Sequence, residues 1–265
     1  LRTENRIWDR GILDWTEFTE NAGSLLSRRQ SKTAAKYIDE SHKQLGGENP
    51  VYFADLLPAG LHWRFFPEFR RQSVYLDIET TGMESVSAIT TISMYDGNRI
   101  RWYVDGDNLE SFVDDIFNYK VVITYNGKGF DIPFIENQFR IKLNHAHIDL
   151  RYILAGMGFK GGLKGCERQL GVDRGLLAGV DGYFAVLLWN DYIRNGTDRA
   201  LETLLAYNIE DTVNLEKLMV IAYNMKIKDT PFHRQNLLDF PLSPVLPFQP
   251  DLLTIERIKR DLFSW

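Results

Sequence analysis

A single cysteine, Cys166, stands among the 265 residues. No intrachain disulfide is available, and a thiolate zinc site, which needs two to four cysteines, is excluded. No apolar run approaches the ~18 residues of a transmembrane helix. No basic segment followed by an apolar one opens the chain, so no signal peptide is expected and the cytoplasm is the default compartment. An excess of positive charge is also missing: 31 Lys and Arg stand against 36 Asp and Glu, a net charge of −5. That argues against a surface coated to grip long duplexes. It does not argue against nucleic acid as a substrate, because an enzyme that gathers carboxylates around metal ions is acidic until the metals bind. There is no internal repeat. What is present, 44% hydrophobic and 25% charged residues, is ordinary for a globular chain.

The pattern changes along the chain. Residues 1–48 read as a helical N-terminal segment, with Asp14 and Glu17 spaced as a capping box and a longer polar helix from Leu25 to Leu45 ended by Gly46-Gly47. Residues 49–72 read as an apolar, irregular connector rich in Leu, Trp and Phe. At Ser73 the character becomes β-rich. "SVYLDIET", "SAITTISMYD" and "RIRWYVD" predict three antiparallel strands, the last two joined through Asp96-Gly97-Asn98, a hairpin signal. A helix over 109–117, a buried strand "KVVITYN", a helix over 131–139 and a short strand "HIDL" follow. Helices are then predicted over about 150–157, 163–170, 180–195 and 198–224, the last with a Leu-rich apolar stripe. Residues 229–265 read as a proline-rich tail ending in a helix and packed on the domain before it, which spans 73–228. The order βββ-α-β-α-β-helices predicts an α/β architecture with a mixed sheet flanked by helices.

Three segments carry acids in suggestive places. Asp77 and Glu79 are two apart on a strand and so point to one face. Two carboxylates there repel and raise each other's pKa unless a cation lies between them. Asp131 follows the turn Asn126-Gly127-Lys128-Gly129; taken alone it reads more readily as a helix-capping aspartate. Tyr207 and Asp211 are four apart on a helix and share a face, although taken alone Asp211 reads as a solvated helix residue.

Together, Asp-x-Glu on an early strand, Asp about 50 residues on, and Tyr-x-x-x-Asp on a late helix resemble the DEDD superfamily of 3′–5′ exonucleases, in the ribonuclease H-like fold. Tyr207 four before Asp211 is similar to the tyrosine variant; the histidine variant would need His where Ala206 stands. "LDIETTG", "YNGKGFD", "HIDL" and "YNIEDT" most resemble the YprB-like group of predicted exonucleases. Residues 4–18 are similar to the second half of a helix-hairpin-helix-type element, or are two small packing helices.

The resemblance implies a two-metal-ion 3′–5′ exonuclease that hydrolyses phosphodiester bonds at the end of single-stranded DNA or RNA, or at a frayed end. Asp77, Glu79, Asp131 and Asp211 would hold two divalent cations, and hard oxygen ligands select Mg²⁺ or Mn²⁺. One ion would activate water and the other stabilise the leaving oxygen, while Tyr207, a poor base at neutral pH, orients the attacking water. Candidate substrate contacts are Thr80, Thr81, Gly82, Asn126, Lys128, Lys160 and Lys164, with Arg168 beside them. Tyr125 and Phe130 read as core aromatics before base-stacking ones, and His147 and Asp149 as structural. Glu84 receives no role. The competing readings are a catalytically silent nucleic-acid-binding module and a structure-specific nuclease that cuts internally.

Overall fold

A computed structural model describes residues 2–82, 87–177 and 179–262. Glu84 lies outside the described residues. Three helices open the chain: α1 (Arg2–Trp8), α2 (Trp15–Leu25) and α3 (Arg28–Gly46). The long polar helix expected from Leu25 begins instead at Arg28. Ser27 caps it: the Ser27 hydroxyl accepts from the Gln30 amide, and the Gln30 side chain accepts from the Ser27 amide. That reciprocal pair satisfies donors the first turn would otherwise leave open.

The connector is not irregular. It forms α4 (Pro50–Leu56), a 3₁₀ turn over Ala59–Arg64, α5 (Phe66–Phe69) and a second 3₁₀ turn over Arg70–Gln72. Pro50 and Pro67 each stand in the first turn of a helix, where no amide partner is lost. Trp63, Phe65, Phe66 and Phe69 are buried in the main core. The His62 ring bridges three backbone carbonyls, those of Ala54 and Leu57 and, at 2.9 Å, that of His147.

The centre is a five-stranded sheet of order β3-β2-β1-β4-β5, with β1 at Ser73–Thr80, β2 at Ile89–Tyr95, β3 at Ile100–Val104, β4 at Val121–Thr124 and β5 at Ala146–Asp149. β1, β2 and β3 pair antiparallel; β4 and β5 add parallel to β1. Asp96 closes the β2–β3 hairpin by accepting from the Asn98 and Arg99 amides, with Gly97 at φ 90°. α6 (Ser111–Ile116) and α7 (Asp131–Phe139) cover one face of the sheet, where Val74, Leu76 and Ile78 meet Phe112, Ile116 and Ile135. The other face carries α8 (Leu150–Ala155), α9 (Gly162–Gln169), α10 (Gly182–Asn195) and the 30-residue α11 (Asp198–Ile227). This is the RNase H-like arrangement the resemblance implied.

α11 departs from the expected single stripe. It is buried on nearly every side, polar residues Asn208, Thr212 and Asn214 included. The reason is tertiary: the sheet and α10 flank it, and the tail returns along it. Asn224 exchanges hydrogen bonds with the Leu238 backbone near one end, and the Asp251 amide donates to Thr203 near the other. α12 (Leu252–Leu262) then docks through a two-nitrogen ion pair from Arg257 to Asp191. Among the described residues no helix is long and apolar enough to cross a membrane.

Candidate metal centre

Strand alternation places the acids. Along β1, Tyr75, Asp77 and Glu79 point toward α11 while Val74, Leu76 and Ile78 enter the opposite core. Asp77 stands opposite Ser93 and Glu79 opposite Thr91 on β2. α11 crosses this face and delivers Tyr207, Asn208 and Asp211, all buried. Carboxylate oxygens of Asp77, Glu79 and Asp211 lie within 4.8 Å of one another. Asp131, at the first position of α7, is buried beside them and receives the backbone amide of Ile78. It lies outside the tight trio, close enough for its charge to act on Asp77 and Glu79.

The electrostatics are those of acids held together against repulsion. Burial, then the charges of Asp211 and Asp131, push the Asp77 carboxyl well above the usual range, against the pull of Lys164 and Asn208. Burial, then Asp77 and Asp211, do the same to Glu79. Burial pushes Asp131 up to about 7, with backbone amides opposing it. Burial and then the charges of Asp211, Glu79 and Asp77 raise the Tyr207 phenol, so it stays protonated and keeps a proton to donate.

A polar network holds Asp77 and Asp211. The Asn208 amide donates to Asp77 at 2.7 Å and accepts from the Thr91 hydroxyl at 3.2 Å. Ser93 donates to the Asn208 carbonyl and also meets the Thr212 hydroxyl. Two cations close over Asp211: Lys164 pairs with it directly, and Arg174 approaches to 2.5 Å. Both stand over the Tyr207 ring, at 4.4 and 5.4 Å. Arg174 is held in turn by Glu167 at 2.9–3.0 Å, and Glu167 by Asn214 at 3.0 Å.

Asn208, Glu167 and Arg174 escaped sequence reasoning. Asn208 sits between Tyr207 and Asp211, but nothing in a helix spacing says that it reaches β1. Glu167, three residues after Lys164, shares that lysine's helix face, the only signal that could have marked it. Arg174 lies beyond α9 in a segment without any motif.

The proposed substrate contacts fall into two groups. Lys164 joins the cluster. Thr80 ends β1 directly after the acids and Thr81 and Gly82 follow it, but both hydroxyls are engaged in the turn. Thr80 donates to the Gly82 carbonyl at 2.6 Å, and Thr81 accepts from the Ala88 amide. Asn126 has a left-handed φ of 68°, its amide donating to Asp149 and its side-chain oxygen accepting from Arg151. Lys128 is exposed, its amide also tied to Asp149 at 3.2 Å. Asp149 therefore clamps the turn before α7 and also caps α8 through the Arg151 amide. Gly127 is required by packing within the protein: a Cβ there would overlap the Thr124 side chain. Lys160 and Arg168 are exposed, Lys160 carrying only backbone contacts to the Gln169 side chain and Arg168 standing beside the cluster's cations. Phe130 packs on Phe134 at 4.7 Å, and the Tyr125 hydroxyl meets the buried Cys166. His147 contacts Thr124 at 2.8 Å, and burial lowers its pKa to about 3.

The donor set suits hard divalent cations. Every donor is a carboxylate oxygen, three lie close enough to share an ion, and without a cation their burial is costly. Lys164 and Arg174 at Asp211 supply the positive charge this cluster demands. A search of curated proteins found no match. Among solved structures, the family B DNA polymerase from the hyperthermophilic archaeon Pyrobaculum calidifontis aligns with a TM-score of 0.47 and 18% identity. The alignment covers 61% of this chain and 26% of the polymerase, so this chain spans about a quarter of that protein's length. The profile of the RNase_H superfamily matches residues 74–223, from the start of β1 almost to the end of α11 and so across every acid described above. That is more than half of the sequence, and the chain belongs to the RNase_H superfamily.

Proposed function

We propose that the protein is a metal-dependent 3′–5′ exonuclease that removes nucleotides from the end of single-stranded or frayed DNA or RNA. The observation that carries this reading is the trio Asp77, Glu79 and Asp211, half-buried to buried and within 4.8 Å, with Asp131 beside it. Residues 73–228 would form the nuclease domain, and α1–α3 brace it; Arg64 of the connector pairs with Glu4 of α1.

In this reading Asp77, Glu79 and Asp211, completed by Asp131, hold two Mg²⁺ or Mn²⁺ ions. Bound there, the ions supply a water of lowered pKa and neutralise charge on the phosphate. Asn208 holds Asp77 in one orientation. Tyr207, kept protonated by burial and by its acidic neighbours, would donate a hydrogen bond that orients the nucleophile. Lys164, which pairs with Asp211 in this structure, would turn its ammonium to the substrate phosphate once Asp211 holds metal. Thr80, Thr81, Gly82, Asn126, Lys128 and Lys160 would contact the terminal nucleotides of the strand.

The test uses 5′-labelled single-stranded DNA and RNA of one sequence with Mg²⁺, Mn²⁺ or EDTA, beside an Asp131→Asn variant. A ladder that shortens from the 3′ end, and disappears with EDTA and in the variant, is expected. Internal fragments would replace the exonuclease by an internally cutting nuclease. No cleavage of either strand under any metal would leave a binding module.

A further inference from the structure

The tail between α11 and α12 is unlike the rest of the surface. Residues 240–250 carry no charged side chain, and Pro241, Pro244, Pro247 and Pro250 recur every third residue, the repeat of a polyproline II helix. Its ends are fixed to α11, Leu238 to Asn224 and Asp251 to Thr203. Those anchors lie about 30 Å apart along the helix. Coiled as an α-helix, the segment would span about 20 Å; at the polyproline rise it reaches about 40 Å. It is therefore held as an extended strap. Between Leu238 and Asp251 the strap forms no hydrogen bond among the described residues.

One edge of the strap is anchored and one is bare. Leu246 and Phe248 pack on the main core, Phe248 meeting Trp102 at 5.1 Å. Leu242 and Val245, one polyproline turn apart, are 91% and 95% exposed, more than any other large apolar side chain among the described residues, and Phe240 is 67% exposed. An apolar ridge of this kind marks an interaction surface. Without charge it offers nothing to a phosphate backbone, and prolines at every third residue deny it the amides that a sheet edge needs.

A matching hollow lies at the root of the strap. Trp8 of α1, Trp63 of the connector, Tyr223 of α11 and Phe232 wall a cavity of about 230 Å³, with Asn236 on its exposed rim. The rings pack edge to face, Trp8 on Phe232 at 5.7 Å and Trp63 on Tyr223 at 5.8 Å. Arg64, the one charged residue lining it, is already paired with Glu4. An aromatic-lined hollow and an extended, proline-spaced ridge are the two halves of polyproline recognition. The chain's own strap cannot fill the hollow, because it leaves at Asn236 and runs away along α11 toward Thr203.

We propose that two copies of this chain pair about a twofold axis, each laying residues 240–245 into the hollow between Trp8, Trp63, Tyr223 and Phe232 of the other. Ridge and hollow sit side by side on one surface, and such a patch is self-complementary about a twofold axis. The strap and the residues lining the hollow come close to the roughly 20 residues a side that a stable interface uses.

The experiment is analytical ultracentrifugation of the full chain from about 1 to about 100 μM, since interfaces of standard size reach at least micromolar affinity. The mass is expected to rise to a plateau at twice that of the chain. Leu242→Asp sets a carboxylate in the apolar contact and should raise the dimer Kd at least about tenfold. Trp8→Ala, which removes one wall of the hollow, should do the same. The deciding arm mixes these two variants. Neither has an intact contact when paired with itself, but the mixed pair keeps one, so the mixture should associate roughly tenfold more tightly than either variant alone. If Trp8→Ala melts below the parent, Asn236→Arg at the exposed rim takes its place. A monomer at every concentration overturns the proposal and leaves the ridge to a different protein. A mass that climbs without a plateau overturns the twofold pairing. A dimer indifferent to Leu242→Asp overturns the role of the ridge, and a mixture no tighter than its components overturns the pairing of ridge with hollow.

Discussion

The two faces of β1 are built to opposite rules. On one, Val74, Leu76 and Ile78 meet Phe112, Ile116 and Ile135 in a core made of apolar side chains. On the other, Tyr75 is followed by Asp77 and Glu79, and the packing partners are Thr91, Ser93, Asn208 and Thr212. The same strand, read at alternate residues, therefore spends one face on stability and the other on chemistry. Burial of like charges on the second face opposes folding, and the first face together with the rest of the main core must outweigh it. Functional sites commonly sit in such locally unfavourable arrangements.

The contrast can be broken from either side. The largest effect is expected on the acidic face: Asp77→Asn should lower cleavage on the order of 10⁴-fold, as removing one member of an interdependent catalytic set does. The labelled-strand assay reads it, with melting unchanged or raised. Phe112→Ala, on the apolar face, should destabilise by about 3–5 kcal/mol through the cavity it leaves. Denaturant titration measures that loss, and the kcat of the fraction still folded should match the parent; a kcat loss as large as that of Asp77→Asn would erase the distinction between the faces. Asn208→Ala lies on the boundary. It frees Asp77 to turn, and activity should fall about 10–100-fold, the usual consequence of removing a ligand's supporting contact, with a matching weakening of metal affinity.

The smallest effect concerns protons. The Asp131 carboxyl, pushed up to about 7 by burial, keeps in the folded state a proton that the unfolded chain releases near 4. The folded state binds more protons in that window, so this group's contribution to stability is present at low pH and is lost as pH rises from about 4 to about 7. Asp131→Asn removes the dependence. In EDTA the variant should melt above the parent near pH 8, and the gap should close as pH falls through about 7 to about 4. Mg²⁺ should raise the melting temperature of the parent near pH 8 and narrow the gap. A gap that widens toward low pH would refute the assignment of the raised carboxyl.

Much of the sheet was legible because its signals are local. The β-rich runs, the Asp96-Gly97 hairpin and the order of elements follow from alternation and turn chemistry, and each reappears. The connector over 49–72 was not legible as helix: its apolar residues follow no helical period, and short turns there are held by burial of Phe66 and Phe69 rather than by propensity. The all-round burial of α11 was hidden for a similar reason. Its second and third faces are covered by α10 and by a tail whose docking depends on Asn224, Thr203 and Asp191, contacts no window of sequence contains.

At the candidate site the sequence by itself determined which carboxylates share a face, since a two-residue spacing on β1 and a four-residue spacing on α11 leave no alternative. Only the tertiary structure decided their company. The crossing of α11 over β1 draws Asp77, Glu79 and Asp211 into one trio and sets Asp131 beside it. The packing of α9 and the loop after it brings Lys164, Glu167 and Arg174 over Asp211. Charges that repel cannot be assembled by local preference; they meet because the surrounding apolar layers, buried on both sides of the sheet, leave them nowhere else to go.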